Sequence, residues 1–193
     1  MRRFQEIDDK LRLLGMTSKY ELNPIDSIKE AILSPLPLPF DYKDFLIKYS
    51  PLNFYDAAIH LIPSLSKNTI DEPLSLINFY GFSPGTSNLL TVMKRYRDRI
   101  PEDMIPIAEC PGGDQICIGT GNEVFGKIYY WNHDKEKLHV NSQEDMWGPV
   151  TLIYPSFYDL IMSIQRVEDT EDMENPTIVE MKISDAFLAR IKK

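Results

Sequence analysis

Apolar residues alternate with period two between positions 105 and 130, and two groups of turn residues interrupt the alternation. The turn residues are Pro-Gly-Gly-Asp at 111–114 and the glycine-rich stretch 119–121. Period-two alternation is typical of strands with one buried face, and glycine-containing turns connect such strands in hairpins. The stretch therefore predicts a meander of three short strands. Its alternating apolar positions are Ile105, Ile107, Ile116, Ile118, Ile128 and Tyr130.

Apolar residues at spacings of three and four predict helices on both sides of the meander. Asn23 is the predicted cap of the second helix and Ser156 that of the fifth, because both side chains accept hydrogen bonds from a first helical turn. The predicted helices lie at 4–14, 23–32, 41–49, 89–96 and 156–164, with a sixth within 178–193. In the third, Tyr42, Phe45, Leu46 and Tyr49 share one face.

Further short strands are predicted outside the meander. Residues 53–65 favour two short strands, residues 74–82 favour one, and residues 151–154 favour another. Polar residues predict loops at 66–71 and 135–149. Helices and strands thus occur together along the whole chain.

Composition and length indicate an ordinary globular protein. Of the 193 residues, 43% are hydrophobic and 26% are charged, which is the normal range for a chain with one packed core. The longest apolar runs are far shorter than the roughly 20 residues that span a membrane. The N-terminus also lacks the apolar stretch of a signal peptide. We therefore expect a cytoplasmic protein with no membrane contact.

The net charge of −8 bears on the class of partner. Nucleic-acid affinity depends largely on Lys and Arg that neutralise phosphates, so an acidic chain disfavours DNA or RNA as a ligand. The same charge suits a basic protein partner. Solubility alone is an alternative explanation for it.

No pattern in the sequence predicts catalysis. His60, His133 and His139 are accompanied by neither a Gly-x-Ser-x-Gly elbow nor a metal-binding His-Glu-x-x-His arrangement. Cys110 and Cys117 are seven residues apart, which matches no Cys-x-x-Cys motif, and we expect two small buried thiols there. Accordingly, no enzyme activity, cofactor or metal is predicted.

Three blocks together resemble one protein family. Residues 36–46 (LPLPFDYKDFL), 106–134 (PIAECPGGDQICIGTGNEVFGKIYYWNHD) and 156–161 (SFYDLI) occur in the order found in the SUKH superfamily. That superfamily contains yeast cell-wall-assembly regulators and many bacterial immunity proteins. The resemblance spans roughly residues 20–165. It departs from the family after the third helix, where Ser50-Pro51 stands in place of an Asn-Gly-Gly turn.

The resemblance implies an α+β fold in a single domain, with a mixed, mostly antiparallel sheet of about five to six strands flanked by helices. Under this interpretation residues 19–165 form the SUKH-like domain. Residues 1–18 form an N-terminal helical extension, and residues 166–193 form an acidic linker and a C-terminal helix.

The same resemblance implies a non-enzymatic protein-binding domain. We expect an immunity protein that occludes the active site of a cognate bacterial toxin with a basic surface; the alternative is a regulatory adaptor related to cell-wall-assembly regulators. The identity of the partner and the oligomeric state stay open. The predicted partner-binding residues combine carboxylates with aromatic anchors, although the strand tryptophan also suits a core position. They are Glu102, Asp103, Asp114, Glu123, Trp131, Glu144, Asp145 and Trp147.

Overall fold

The computed structural model describes most of the chain. The described residues are 2–15, 36–49, 52–53, 59–61, 64–65, 70, 73–82, 85–137, 139 and 142–166. The predicted helix at 23–32, the predicted loop at 66–71 apart from Ile70, and the predicted C-terminal linker and helix beyond residue 166 lie outside them.

The described residues form five α-helices and nine strands. The helices are α1 (Arg2–Leu13), α2 (Phe40–Tyr49), α3 (Leu89–Tyr96), α4 (Gln143–Trp147) and α5 (Phe157–Ser163). The strands are β1 (Leu52–Asn53), β2 (Ile59–Leu61), β3 (Leu74–Leu76), β4 (Asn78–Phe79), β5 (Met104–Glu109), β6 (Gln115–Gly119), β7 (Ile128–Trp131), β8 (Val150–Tyr154) and β9 (Ile164–Arg166).

Six strands form one antiparallel sheet in the order β1-β4-β5-β6-β7-β8, which confirms the predicted fold class. A second, smaller sheet has the order β3-β2-β9 and was not predicted. The single strand predicted at 74–82 was wrong, because β3 and β4 belong to different sheets. Ile77 separates them, and its amide donates to the carbonyl of Glu109 at 2.8 Å.

The predicted meander corresponds to β5, β6 and β7. Ile116 lies opposite Ala108 on one side and Tyr130 on the other, so these three side chains share one face of the sheet. A bulge at Ile107 breaks the register of β5. The turn before β6 needs glycine, because Gly112 and Gly113 have φ of +80° and +94°.

An aromatic cluster fills the core on the face that carries Phe79 of β4. The ring of Phe45 lies 5.0 Å from that of Phe79 and 5.1 Å from that of Phe157, and both pairs are close to edge-on. The predicted buried face of α2 is confirmed, since all four of its aromatic and apolar members are buried. Helix α1 packs on α2 and α5 and buries Ile7 and Leu11.

Helix α3 covers the opposite face. Successive strand residues point to opposite sides, so Trp131 faces away from Tyr130. Tyr96 of α3 meets Trp131 edge-on, with ring centroids 5.6 Å apart. Asn88 caps α3 by accepting from the amide of Thr91 at 3.1 Å. The sheet is therefore flanked by helices, as predicted. They cover both of its faces, so β5, β6 and β7 are buried on both sides and not on one side as the alternation predicted.

Candidate functional site

The strand directions divide the predicted partner-binding carboxylates between opposite ends of the sheet. Met104 begins β5 and pairs with Gly119 at the end of β6, so Glu102, Asp103 and Glu123 lie beyond these strand ends. We call this the loop end; it comprises residues 39–40, 102–103 and 120–126. The opposite ends of the strands form the turn end, which comprises residues 111–114, 132–137 and 142–148. It carries Asp114, Glu144 and Asp145.

Backbone hydrogen bonds hold the β6–β7 loop against the start of β5. The amides of Thr120 and Gly121 donate to the carbonyl of Asp103 at 2.6 and 3.2 Å. A side chain at Gly121 would overlap the Asp103 carboxylate, so glycine permits this close approach. The loop therefore places Glu123 and Asp103 at the same end of the sheet.

The same loop contacts the start of α2. Gly126 has φ of +75°, and a Cβ atom added there would lie 3.2 Å from Cγ of Pro39. The residues beside this contact are Phe40 and Phe125, which are 75% and 49% exposed. Exposed aromatic side chains at one end of the sheet mark a candidate interaction surface. Neither residue was predicted from the sequence as a partner contact, because no local motif or periodicity distinguishes an exposed phenylalanine from a buried one.

Charge at the loop end is mainly negative. Glu102, Asp103 and Glu123 are all exposed there. Lys127 provides a nearby positive charge, and its ammonium group donates to the backbone carbonyl of Glu123 at 2.9 Å. The loop end thus carries two exposed phenylalanines and several exposed carboxylates, and both kinds of group suit Lys and Arg side chains because the rings attract cations as well.

At the turn end, Asp114 organises the protein itself. Its carboxylate accepts from the Tyr130 hydroxyl and, at 2.7 Å, from the backbone amide of His133. Burial, followed by the hydrogen bond to this carboxylate, raises the pKa of Tyr130 and keeps the phenol protonated as a donor. Both carboxylate oxygens of Asp114 are thus engaged within the chain.

Arg99 forms the second polar connection at the turn end. Its guanidinium donates to both carboxylate oxygens of Glu136, at 2.6 and 2.5 Å. Nδ1 of His133 lies 3.3 Å from Oε2 of Glu136. The hydrogen bonds from Arg99 lower the pKa of Glu136, outweighing the opposing effect of its partial burial. This cluster joins the turn after α3 to the segment after β7.

The structure corrects the prediction for Trp131. Its side chain is fully buried beneath Tyr96 and Arg99, so a partner cannot contact it. Trp147, predicted as an exposed anchor, is half-buried. Its ring packs edge-on against that of Tyr129, with the ring centroids 5.9 Å apart. Asp145 forms an ion pair with Lys137, whereas Glu144 is exposed.

The described side chains show no arrangement typical of nucleophilic catalysis. Burial raises the pKa of both Cys110 and Cys117, which keeps these thiols protonated and poorly nucleophilic at neutral pH. Among the described residues, no group of three or more His, Cys, Asp or Glu side chains is placed to hold a metal ion. No helix in the described ranges is long and apolar enough to cross a membrane.

Comparison with known proteins relates the chain to a family and to a bacterial protein. A family model described as SMI1-KNR4 cell-wall, of the SUKH group, matches residues 33–161, which is more than half of the chain. The chain is also similar to a Bacillus subtilis (strain 168) protein named SPbeta prophage-derived uncharacterized protein YokK. The two are 28% identical over 202 aligned positions, which cover 96% of this chain and 98% of the relative.

Proposed function

The chain belongs to the SMI1-KNR4 cell-wall family of the SUKH superfamily, and on this premise we propose that it is an immunity protein that neutralises a bacterial toxin. It acts without catalysis, in the cytoplasm, by covering the active site of the toxin. The single observation that carries the proposal is the loop end, which carries Phe40, Phe125, Asp103 and Glu123, all of them exposed.

The chemistry of the loop end supports a basic partner surface. Phenylalanine rings supply apolar area that a partner can desolvate at small cost in side-chain entropy. Carboxylates beside the rings favour Lys and Arg, whose stems pack on the rings while their charges meet Asp103 and Glu123. A toxin that acts on a nucleic acid carries such a basic cleft, and occupying the cleft blocks access of its substrate.

The relative provides a setting for this proposal. The Bacillus subtilis protein is described as prophage-derived, and the similarity extends over nearly the whole of both chains. If this chain is encoded beside a secreted protein with a toxic C-terminal domain, the neighbouring domain is the predicted partner. That toxic domain is therefore the probe for the experiment.

The test is co-expression of the neighbouring toxic domain with wild-type protein or with the double variant Asp103→Lys/Glu123→Lys. We expect the wild type to restore growth and the double variant to fail, with affinity about 100-fold weaker because two attractive contacts become repulsive. Growth and the Kd from calorimetry are the measurements.

Glu144→Lys is the matched control. Glu144 was predicted from the sequence to bind the partner, but it is an exposed carboxylate at the turn end, so the loop-end proposal excludes it from the contact. The Glu144→Lys substitution should leave protection intact and change the Kd by no more than about twofold. Equal protection by the double variant would refute the loop end as the binding surface. Failure of the wild type to bind or protect would refute the immunity function.

The description of the matching family favours one alternative, a regulatory adaptor related to cell-wall-assembly regulators. In that case the acidic residues 168–174 and the segment after them would carry the partner contact. Deleting residues 167–193, which leaves β9 intact, should then abolish partner capture. Under the immunity proposal the same deletion should leave toxin neutralisation largely unchanged.

A further inference from the structure

An apolar groove runs between α3 and the start of β5. Its volume is about 360 Å³, within the roughly 300–1,000 Å³ typical of ligand-binding clefts. Every residue that lines it belongs to the continuous described stretch 85–137. The apolar lining residues include Leu90, Met93, Ile100, Pro101, Met104 and Pro106.

The α3 side of this groove is basic, although the whole chain carries a net charge of −8. Lys94 and Arg97 both line the groove and are exposed. They are three residues apart and so lie on the same side of the chain as it leaves α3. Among the described residues, neither forms an ion pair. Glu102 supplies a carboxylate to the lining as well.

We propose that this groove is a second docking site, which binds a partner-protein segment with apolar side chains flanked by carboxylates. The apolar lining accepts the side chains, and Lys94 and Arg97 pair with the carboxylates. Charge complementarity commits the site to this occupant, because a basic segment would meet two cations while losing the water around them.

The two surfaces adjoin at Glu102, which belongs to the loop end and lines the groove, but they select opposite partners. The loop end suits Lys and Arg, whereas the groove suits Asp and Glu beside apolar residues. The groove proposal therefore goes beyond toxin neutralisation and does not rest on it. Its test leaves the loop-end residues Asp103 and Glu123 unchanged, so the failure of one proposal can be distinguished from the failure of the other.

The experiment is selection of a phage-displayed library of random peptides, about 12 residues long, on the full-length protein. We expect the enriched peptides to contain apolar residues flanked by Asp or Glu. Synthetic versions of these peptides should bind wild-type protein. Their affinity for the Lys94→Glu/Arg97→Glu variant should be about tenfold lower or weaker still. Met93→Gln, which makes part of the apolar lining polar without a change of charge, should also weaken peptide binding.

Arg95→Glu is the matched control, because Arg95 is an exposed cation on the same helix that does not line the groove. It should change the affinity by less than about threefold. A thermal melt of each variant checks that the fold is retained.

Three results would overturn the proposal. One is enrichment of peptides with no acidic preference, or no enrichment at all. Another is equal binding to wild type and Lys94→Glu/Arg97→Glu. The third is displacement of the selected peptides by a synthetic peptide of residues 167–181, because the occupant would then be this chain's own C-terminal segment and not a partner.

Discussion

At the scale of single residues, Arg99 shows how one side chain can serve several contacts. Its guanidinium lies 4.8 Å from the ring centroid of Tyr96 and 5.2 Å from that of Trp131. The same group holds Glu136 through two hydrogen bonds. A planar guanidinium can stack on rings and bind a carboxylate with both of its edge nitrogens, which a lysine cannot do. Arg99 thus covers the buried tryptophan and fixes the turn end.

Glu136→Gln should reduce the free energy of unfolding by about 1 kcal/mol at pH 7, because it removes a partly exposed charge-assisted pair. The pKa of Glu136 is lowered in the folded protein from an ordinary value of 4.5. Its contribution is therefore present above that ordinary pKa and lost as pH falls through the folded pKa. Urea unfolding at pH 7, 4 and 3 measures this.

The difference between wild type and Glu136→Gln should shrink as the pH falls. Glu144→Gln is the comparison, because Glu144 is an exposed carboxylate at the same end of the sheet. It should differ from wild type by less than about 0.5 kcal/mol at each pH. A difference for Glu136→Gln that stays constant with pH would contradict the assigned ion pair.

At the scale of elements, α2 combines a structural face with a candidate contact. Phe45 contacts Phe79 and Phe157 in the core, while Phe40, at the first position of the helix, is 75% exposed. The two residues are of the same type on one helix and differ in burial. Substituting each in turn separates folding from partner binding.

Phe45→Ala should lower the free energy of unfolding by about 3–5 kcal/mol, because it leaves a cavity in an aromatic cluster. Phe40→Ala should change that free energy by less than about 0.5 kcal/mol and yet weaken toxin binding. Denaturant unfolding and calorimetry are the two measurements. Similar unfolding free energies for the two variants would show that the cluster is not the core.

At the scale of the whole molecule, charge is distributed unevenly over an acidic protein. The loop end carries exposed carboxylates, whereas the groove beside α3 carries exposed Lys94 and Arg97. Such a distribution allows the two surfaces to attract partners of opposite sign. It also makes association with a basic partner dependent on ionic strength, since screening shortens the reach of the attraction.

Toxin association should slow by about tenfold between low and high ionic strength, with little change in the dissociation rate. Asp103→Asn/Glu123→Asn should flatten this salt dependence of the association rate.

Phe125→Ala should instead accelerate dissociation, because it removes apolar contact and leaves the steering charges in place. Stopped-flow and surface-plasmon measurements follow the two rates; a salt dependence unchanged by the Asn variant would argue against steering by the loop end.

Local signals in the sequence were sufficient for much of the fold. The meander, the buried face of α2 and the bounds of α3 follow from periodicity, and Ser156 caps α5 as predicted, accepting from the amide of Asp159 at 3.2 Å. Helix α4 was missed because it is only five residues long, although Ser142 caps it in the same way. Strand β9 was missed, and its first residue, Ile164, was assigned to the end of the preceding helix, since its pairing with β2 depends on a distant segment.

The sequence by itself determined the local elements, because strand alternation, helix caps and turn glycines act over a few neighbouring residues. Its composition set the acidic character, and its resemblance to the SUKH superfamily implied the family and the α+β class. Only the tertiary structure decided which side chains are exposed together. It buried Trp131, engaged Asp114 internally and separated the predicted carboxylates between two ends. The contact of Pro39 with Gly126 joins residues far apart in the chain, so it depends on sheet register and helix packing that no local pattern records.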